Sequence, residues 1–227
     1  MKFFAIDDES NFYWKAYIPM MEKILENCSK DKNQGTSDIF EEDIKMISRT
    51  NEKLLQIYKD GSWEDMFVKG VNMGMAIPGK WFTEFPNKEN IYYKWFEMIG
   101  DMNANNIRVY TLMHPTFYSA LKRYNEANPE KKLWLLQEIW PEEHPEDNNY
   151  LKEEYINNFN KEIEYTIDAI HGNLTLPERK GRAYGDYYVD VSDYILGFLV
   201  GREFEPEEVV ATNKLNNITA YKGDYLE

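Results

Sequence analysis

The spacing of hydrophobic and polar residues changes character early in the chain. In the first part, apolar residues recur at helical spacing, which predicts helices over residues 15–30 and 38–59 with a polar loop between them. An Asp-Gly pair then predicts a turn. The pattern therefore predicts two parts, a helical N-terminal segment over residues 1–61 and a second domain over residues 62–227.

In the second part, short apolar runs alternate with stretches of helical periodicity. Nearly uninterrupted apolar runs flanked by helices are typical of parallel strands that are buried on both faces. A proline opens the second and the fourth helix, and a glycine closes the third. The pattern predicts strands over residues 66–75, 105–112, 131–140 and 193–203, and helices over residues 88–102, 115–127, 149–172 and 206–216.

Two α/β architectures fit this alternation, a doubly wound sheet and a (β/α)8 barrel. No strand is followed by a Gly-rich dinucleotide fingerprint or a phosphate loop, which disfavours the nucleotide-binding kind of doubly wound fold. A whole barrel needs about 250 residues, so only about four β/α units fit after residue 66. The expected fold class is therefore α/β, a partial (β/α)8 barrel preceded by a helical segment.

Composition excludes several classes of function. The net charge is −14 and no basic patch is present, so we expect no nucleic acid partner. No segment approaches the ~20 apolar residues that span a bilayer, and the N-terminus turns acidic before a signal peptide can develop. This predicts no membrane segment and a cytoplasmic or unassigned location. Because the chain has one cysteine and three widely separated histidines, we expect no metal and no cofactor.

Polar and aromatic side chains gather where the predicted strands end. In parallel α/β folds, function lies at the C-terminal ends of strands. Carboxylates there suit glycosidic bond chemistry, while aromatic rings stack on sugars and amides or arginines bind hydroxyl groups. The candidates are Asn72, Arg108, Tyr110, His114, Glu138, Trp140, Arg202 and Glu203.

Three of these segments resemble one family. "FVKGVNMG", "WFEMIGDMNANNIRVYTL" and "ILGFLVGRE" are similar to the first, second and fourth strands of retaining (β/α)8-barrel glycoside hydrolases. The likeness is to the barrel domains of family 2 glycosidases and to β-1,3-glucanosyltransferases, and it covers residues 66–210. The resemblance implies that Glu203 is the general acid/base and that Arg108 lies near the catalytic nucleophile.

The chain departs from the family pattern in two respects. Arg202 stands where the family has an asparagine that bonds the sugar, and no segment corresponds to the seventh strand, which supplies the nucleophile. Within this chain, Glu138 is the comparable partner for Glu203 in a two-carboxylate mechanism. We therefore expect the N-terminal part of a longer enzyme, whose exposed sheet edges promote self-association.

The predicted function is a glycoside hydrolase or transglycosylase that acts on a β-linked oligo- or polysaccharide. A non-catalytic carbohydrate-binding or scaffold module is the alternative.

Two of the candidate residues can also be explained by a purely structural role. Arg108 lies in an apolar strand and needs a partner, so it fits either a site or an ion pair. Glu203 fits either catalysis or stabilisation of the following helix start. The predicted substrate-binding residues are Asn72, Tyr110, His114, Glu138, Trp140 and Arg202.

Overall fold

The computed structural model describes residues 47–51, 54–75, 77–80, 84–143, 145 and 147–218. These residues form two compact units. The sheet unit comprises residues 47–140 and 162–201 of the described chain, and the helical unit comprises residues 141–161 and 202–218.

Strands and helices alternate over most of the described chain. In chain order, the strands are β1 (Ser48–Asn51), β2 (Leu54–Lys59), β3 (Ser62–Met66), β4 (Gly70–Met73), β5 (Asn106–Val109), β6 (Trp134–Ile139), β7 (Leu174–Leu176), β8 (Gly185–Tyr187) and β9 (Ile195–Val200). The helices are α1 (Glu89–Asp101), α2 (Pro115–Ala127), α3 (Glu153–Ile170) and α4 (Pro206–Leu215).

A four-stranded parallel sheet forms the centre of the sheet unit. Its strands lie in the order β4-β5-β6-β9, which is also their order along the chain. Each of the four predicted strands and four predicted helices thus contains an observed strand or helix, but the observed strands are shorter than predicted and Met66 belongs to β3. The class is mixed α/β, as expected. The strands that the structure describes form an open sheet and do not close into a barrel.

The core lies between this sheet and the helices α1 and α2. The apolar strand positions Ile107 and Leu135 are fully buried. Phe117 of α2 contacts two rings of α1 edge to face, with centroids 5.5 Å from Tyr92 and 5.3 Å from Phe96. Such ring pairs add about 1 kcal/mol each to the burial of apolar area. The amphipathic periodicity of both helices therefore reflects packing onto the sheet.

The N-terminal helical prediction is wrong over its described part. In place of a helix over residues 38–59, β1, β2 and β3 form an antiparallel sheet. Asp60 and Gly61 have φ angles of 50° and 86°, as in the tight hairpin turn that an Asp-Gly pair favours. Because β2 and β3 pair across it, no domain boundary lies at residue 62. The predicted helix over residues 15–30 lies outside the described residues.

The physical reason for this error is an ambiguous spacing. The apolar residues Leu54, Leu55 and Tyr58 fit one side of a helix, but the same hydrophobic pattern is also compatible with a strand of six residues. Cross-strand pairs decide between the two, since Tyr58 lies opposite Trp63 and their rings are 5.2 Å apart. The predicted turn is confirmed, but the sequence pattern did not predict that it joins two paired strands.

A second antiparallel pair, which the sequence did not predict, lies between α3 and β9. β7 pairs with β8 over three residues each. Gly172, with φ of 69°, ends α3 just before it, as predicted. The hydroxyl of Tyr187 in β8 donates to the carbonyl oxygen of Met113 at 2.9 Å. This bond ties the pair to the segment that follows β5.

Candidate functional site

The register of the parallel sheet brings predicted site residues onto adjacent strands. Asn72 of β4 lies beside Arg108 of β5, which lies beside Leu136 of β6. Side chains two residues apart on a strand share a face, so Glu138 projects from the same face as Leu136, one step nearer the strand end. Strand pairing alone therefore places Arg108 and Glu138 within reach of each other.

Arg108 and Glu138 form an ion pair with two hydrogen bonds. Nη2 and Nε of Arg108 donate to Oε2 of Glu138 at 2.6 Å and 3.0 Å. The Glu138 side chain is only 4% exposed, whereas that of Arg108 is 22% exposed. The carboxylate is thus held from within the protein, and part of the guanidinium reaches solvent. Of the two explanations for Arg108, the ion pair is confirmed.

A pair of contacting aromatic rings adjoins this ion pair. Tyr110 and Trp140 each follow the last residue of their strand, β5 and β6 respectively. Their ring centroids are 5.9 Å apart with an interplanar angle of 68°. The guanidinium carbon of Arg108 lies 4.6 Å from the centroid of Tyr110, a cation–π contact. We call Arg108, Tyr110, Glu138 and Trp140 the strand-end cluster.

Gln137 supports the strand-end cluster from the opposite face of β6. It is fully buried, and its Nε2 donates to the carbonyl oxygens of Thr111 at 3.0 Å and Glu138 at 2.8 Å. The hydroxyl of Tyr118 donates to Oε1 of Gln137 at 2.9 Å. Burial raises the pKa of Tyr118, so its hydroxyl stays a neutral donor. These bonds fix the ends of β5 and β6 to each other.

His114 caps the start of α2. Its Nδ1 accepts a hydrogen bond from the Thr116 amide at 3.3 Å. Burial lowers the pKa of His114, which favours the neutral imidazole that this acceptor role requires. The cap is one of the roles that the sequence allows at this position. A contribution of His114 to sugar binding stays a prediction.

The fourth predicted strand is shorter than expected at the position of the two terminal charges. β9 ends at Val200, and Gly201 follows with φ of 128°, which takes the chain out of the sheet. Arg202 and Glu203 belong to the helical unit and not to a strand. Glu203 is exposed, and its catalytic role stays a prediction.

Arg202 does not face solvent as a substrate-binding residue would. It is 9% exposed, and its guanidinium donates to Glu208 and to the hydroxyl of Tyr150, both at 2.6 Å. The structure gives Arg202 internal hydrogen bonds, and its assignment to substrate binding stays a prediction. Sequence reasoning missed Tyr150 and Glu208 because they lie 52 and 6 residues from Arg202. The spacing of Glu205 and Glu208 fits a capping box, and this is the sequence signal that could have identified Glu208.

Two further kinds of site are absent from the described residues. Within this part of the chain, no group of three or more His, Cys, Asp or Glu side chains is placed to hold a metal ion. None of its helices combines the length and the apolar character needed to cross a membrane. Comparison of the chain with protein-family models, curated proteins and solved structures gives no significant match.

Proposed function

We propose that residues 66–210 form β/α units of the (β/α)8-barrel type and act as a glycoside hydrolase or transglycosylase. In this proposal, a β-linked oligo- or polysaccharide binds at the C-terminal ends of β4, β5 and β6. The observation that carries the proposal is the strand-end cluster, in which the Arg108–Glu138 ion pair adjoins two aromatic rings that contact each other. A sugar ring offers apolar faces to such rings and hydroxyl groups to such charges.

The order of the parallel strands supports the barrel part of the proposal. Along the chain, a helix separates each strand of the sheet from the next, with the pair β7 and β8 added before β9, and the strand order does not reverse across the sheet. A doubly wound sheet reverses its strand order at a switch point, whereas a (β/α)8 barrel continues in one direction. The location of the cluster at the C-terminal strand ends agrees with where barrels bind substrates.

Glu203 is the proposed general acid/base. It would protonate the glycosidic oxygen of the departing sugar while Glu138, the comparable carboxylate within this chain, bonds to the anomeric carbon. It would later take the proton of the water or sugar hydroxyl that displaces Glu138. The exposure of Glu203 and the similarity of "ILGFLVGRE" to the fourth strand of the family support this role. Arg108, whose side chain is 22% exposed, would bind sugar hydroxyls and orient the carboxylate of Glu138 through their ion pair.

A non-catalytic carbohydrate-binding module is the second candidate. The internal hydrogen bonds of Arg202 favour it, because the sugar contact that the family makes from this position is absent. Binding without turnover would need only the strand-end cluster. The two candidates therefore share the binding surface and differ in what Glu203 does.

A comparison of two carboxylate variants separates these candidates. We expect the chain to release aryl groups from aryl β-glycosides and Glu203→Gln to lower kcat/KM by at least about 100-fold, because acid/base catalysis contributes that much. Glu207→Gln is the matched control, since Glu207 is also exposed and lies in the first turn of α4. We expect it to keep full activity.

The outcomes are distinct. Equal activity of wild-type and Glu203→Gln protein, with folding retained, would remove Glu203 from the mechanism. Saturable binding of β-glucans without any turnover would favour the carbohydrate-binding module. Absence of both turnover and binding would contradict the proposed function.

A further inference from the structure

Arg202 lies at the centre of a buried hydrogen-bond network in the helical unit. Its Nη2 donates to the Tyr150 hydroxyl and to Oε1 of Glu208, both at 2.6 Å. Its Nη1 donates to the backbone carbonyl oxygen of Glu203 at 2.9 Å. The side chains of Arg202 and Glu208 are 5% and 6% exposed. Arg202 therefore binds the backbone of the residue that carries the proposed acid/base.

Glu208 holds the other end of the same loop. Its second carboxylate oxygen accepts the amide proton of Glu205 at 2.8 Å, and the Glu205 side chain accepts the amide proton of Glu208 in return. This reciprocal capping box fixes the start of α4. Glu203 thus lies between two anchored points, Arg202 on one side and Glu205 on the other.

The charges in the network reinforce one another. Burial opposes the charge on Arg202, but bonds and charges from Glu208 and Tyr150 outweigh it and raise the pKa of the guanidinium. Burial likewise opposes ionisation of Glu208, but hydrogen bonds from Tyr150, the Glu205 amide and Arg202 lower its pKa. Burial and the bond to Glu208 raise the pKa of Tyr150 to about 12. At neutral pH the network is an ion pair bridged by a neutral hydroxyl.

Aromatic rings enclose the guanidinium. Its carbon lies 4.6 Å from the centroid of Phe204 and 5.4 Å from that of Tyr150, and these two rings meet edge to face with centroids 4.6 Å apart. A planar guanidinium can stack and donate several hydrogen bonds at once, and neither asparagine nor lysine can do both. The geometry therefore requires arginine at position 202.

We propose that Arg202 is a positioning residue that fixes the loop carrying Glu203. A buried ion pair is weak evidence for stability, but it can specify one conformation among several. In the resembled family, the residue before the acid/base contacts the sugar; here that side chain turns inward and holds the carbonyl of Glu203. The catalytic part of this inference rests on the proposed function of Glu203, whereas the structural part does not.

Amide hydrogen exchange tests the structural part without any substrate. In Arg202→Met, we expect the Glu205 amide to exchange at least about tenfold faster, because Glu208 loses its charged partner and the loop loses its bond to Glu203. Arg182→Met is the matched control, since it breaks another partly buried ion pair, with Glu162 at 3.1 Å in the sheet unit. We expect no change of Glu205 exchange in the control.

A second variant guards against a loss of folding. If Arg202→Met does not fold, amide exchange can be measured on the double variant Arg202→Met/Glu208→Gln. This variant leaves no unpaired buried charge. We expect faster exchange in it than in Glu208→Gln alone, because both variants carry the altered acceptor of the Glu205 amide and only the double variant lacks the guanidinium. Unchanged exchange of the Glu205 amide in a folded variant would overturn the proposal.

Kinetics with aryl β-glycosides test the positioning part. We expect Arg202→Met to lower kcat with KM changed by less than about twofold, and Arg202→Lys to recover only part of the loss, because lysine supplies charge without the fork of donors. Faster loop exchange with unchanged kcat would contradict a positioning role. If the wild-type chain shows no turnover, the catalytic role of Glu203 fails, and the exchange data still decide whether Arg202 fixes the loop.

Discussion

Replacement of Arg108 by methionine is expected to lower the free energy of unfolding by about 3 kcal/mol, in the range found when one partner of a buried ion pair is removed. The substitution takes both arginine hydrogen bonds from Glu138, whose side chain is almost inaccessible to water. Methionine fills a similar volume, so the loss reports the interaction and not a cavity. Urea denaturation followed by tryptophan fluorescence measures it.

The same substitution at Arg123 is the control. Arg123 also forms an ion pair, at 2.7 Å from Glu89, and lies over the ring of Tyr93. The two charged side chains are 45% and 34% exposed, and surface pairs of this kind contribute less than about 1 kcal/mol. Equal losses in the two variants would contradict our description of the Arg108–Glu138 pair as a buried anchor of the strand ends.

The second large effect is expected at the end of α3, where Gly172→Ala should cost about 4 kcal/mol. Gly172 has φ of 69°, a conformation that costs other residues about 1–2 kcal/mol. An added Cβ atom would also lie 2.8 Å from backbone atoms of Tyr188 and Val189. These atoms cannot turn aside like a flexible side chain, so the segment before β9 would have to shift.

Gly61→Ala separates the two contributions. Gly61 also has a positive φ, 86°, but nothing lies within 4 Å of a Cβ atom built there. We expect a loss of about 1 kcal/mol from backbone strain alone. Chemical denaturation of both variants measures the difference. Losses of the same size would show that the close approach at Gly172 does not constrain the fold.

The periodic parts of the fold could be predicted from sequence, and the ambiguous parts could not. β6 and β9 are apolar over most of their length and α3 is strongly amphipathic, so a single periodicity identifies each of them. In the N-terminal region, the sequence of β2 fits both helical and strand periodicity, and only its pairing with β3 shows that it is a strand. The pair β7 and β8 has three residues per strand, which is too short for any period to show.

The strand-end cluster could be predicted because sheet topology determines where strand ends meet. Arg108 and Glu138 lie 30 residues apart in sequence, yet two parallel strands in register bring them together. Arg202 could not be interpreted in this way. Its partners depend on how the loop before α4 folds back onto Tyr150, and no periodic pattern encodes that contact. The capping residue His114 was recognisable locally, from its place before a proline at a helix start.

Titration of the chain with soluble β-glucan oligosaccharides tests most directly whether the strand-end cluster is a carbohydrate site. We predict saturable binding by the wild-type chain and an affinity at least about tenfold lower in Trp140→Ala, from the loss of ring stacking. Tyr188→Ala is the control, because this ring of the same unit is 78% exposed and lies outside the cluster. Equal affinities of the wild-type and Trp140→Ala proteins, or no binding to β-1,3- and β-1,4-linked oligosaccharides, would contradict the proposed site.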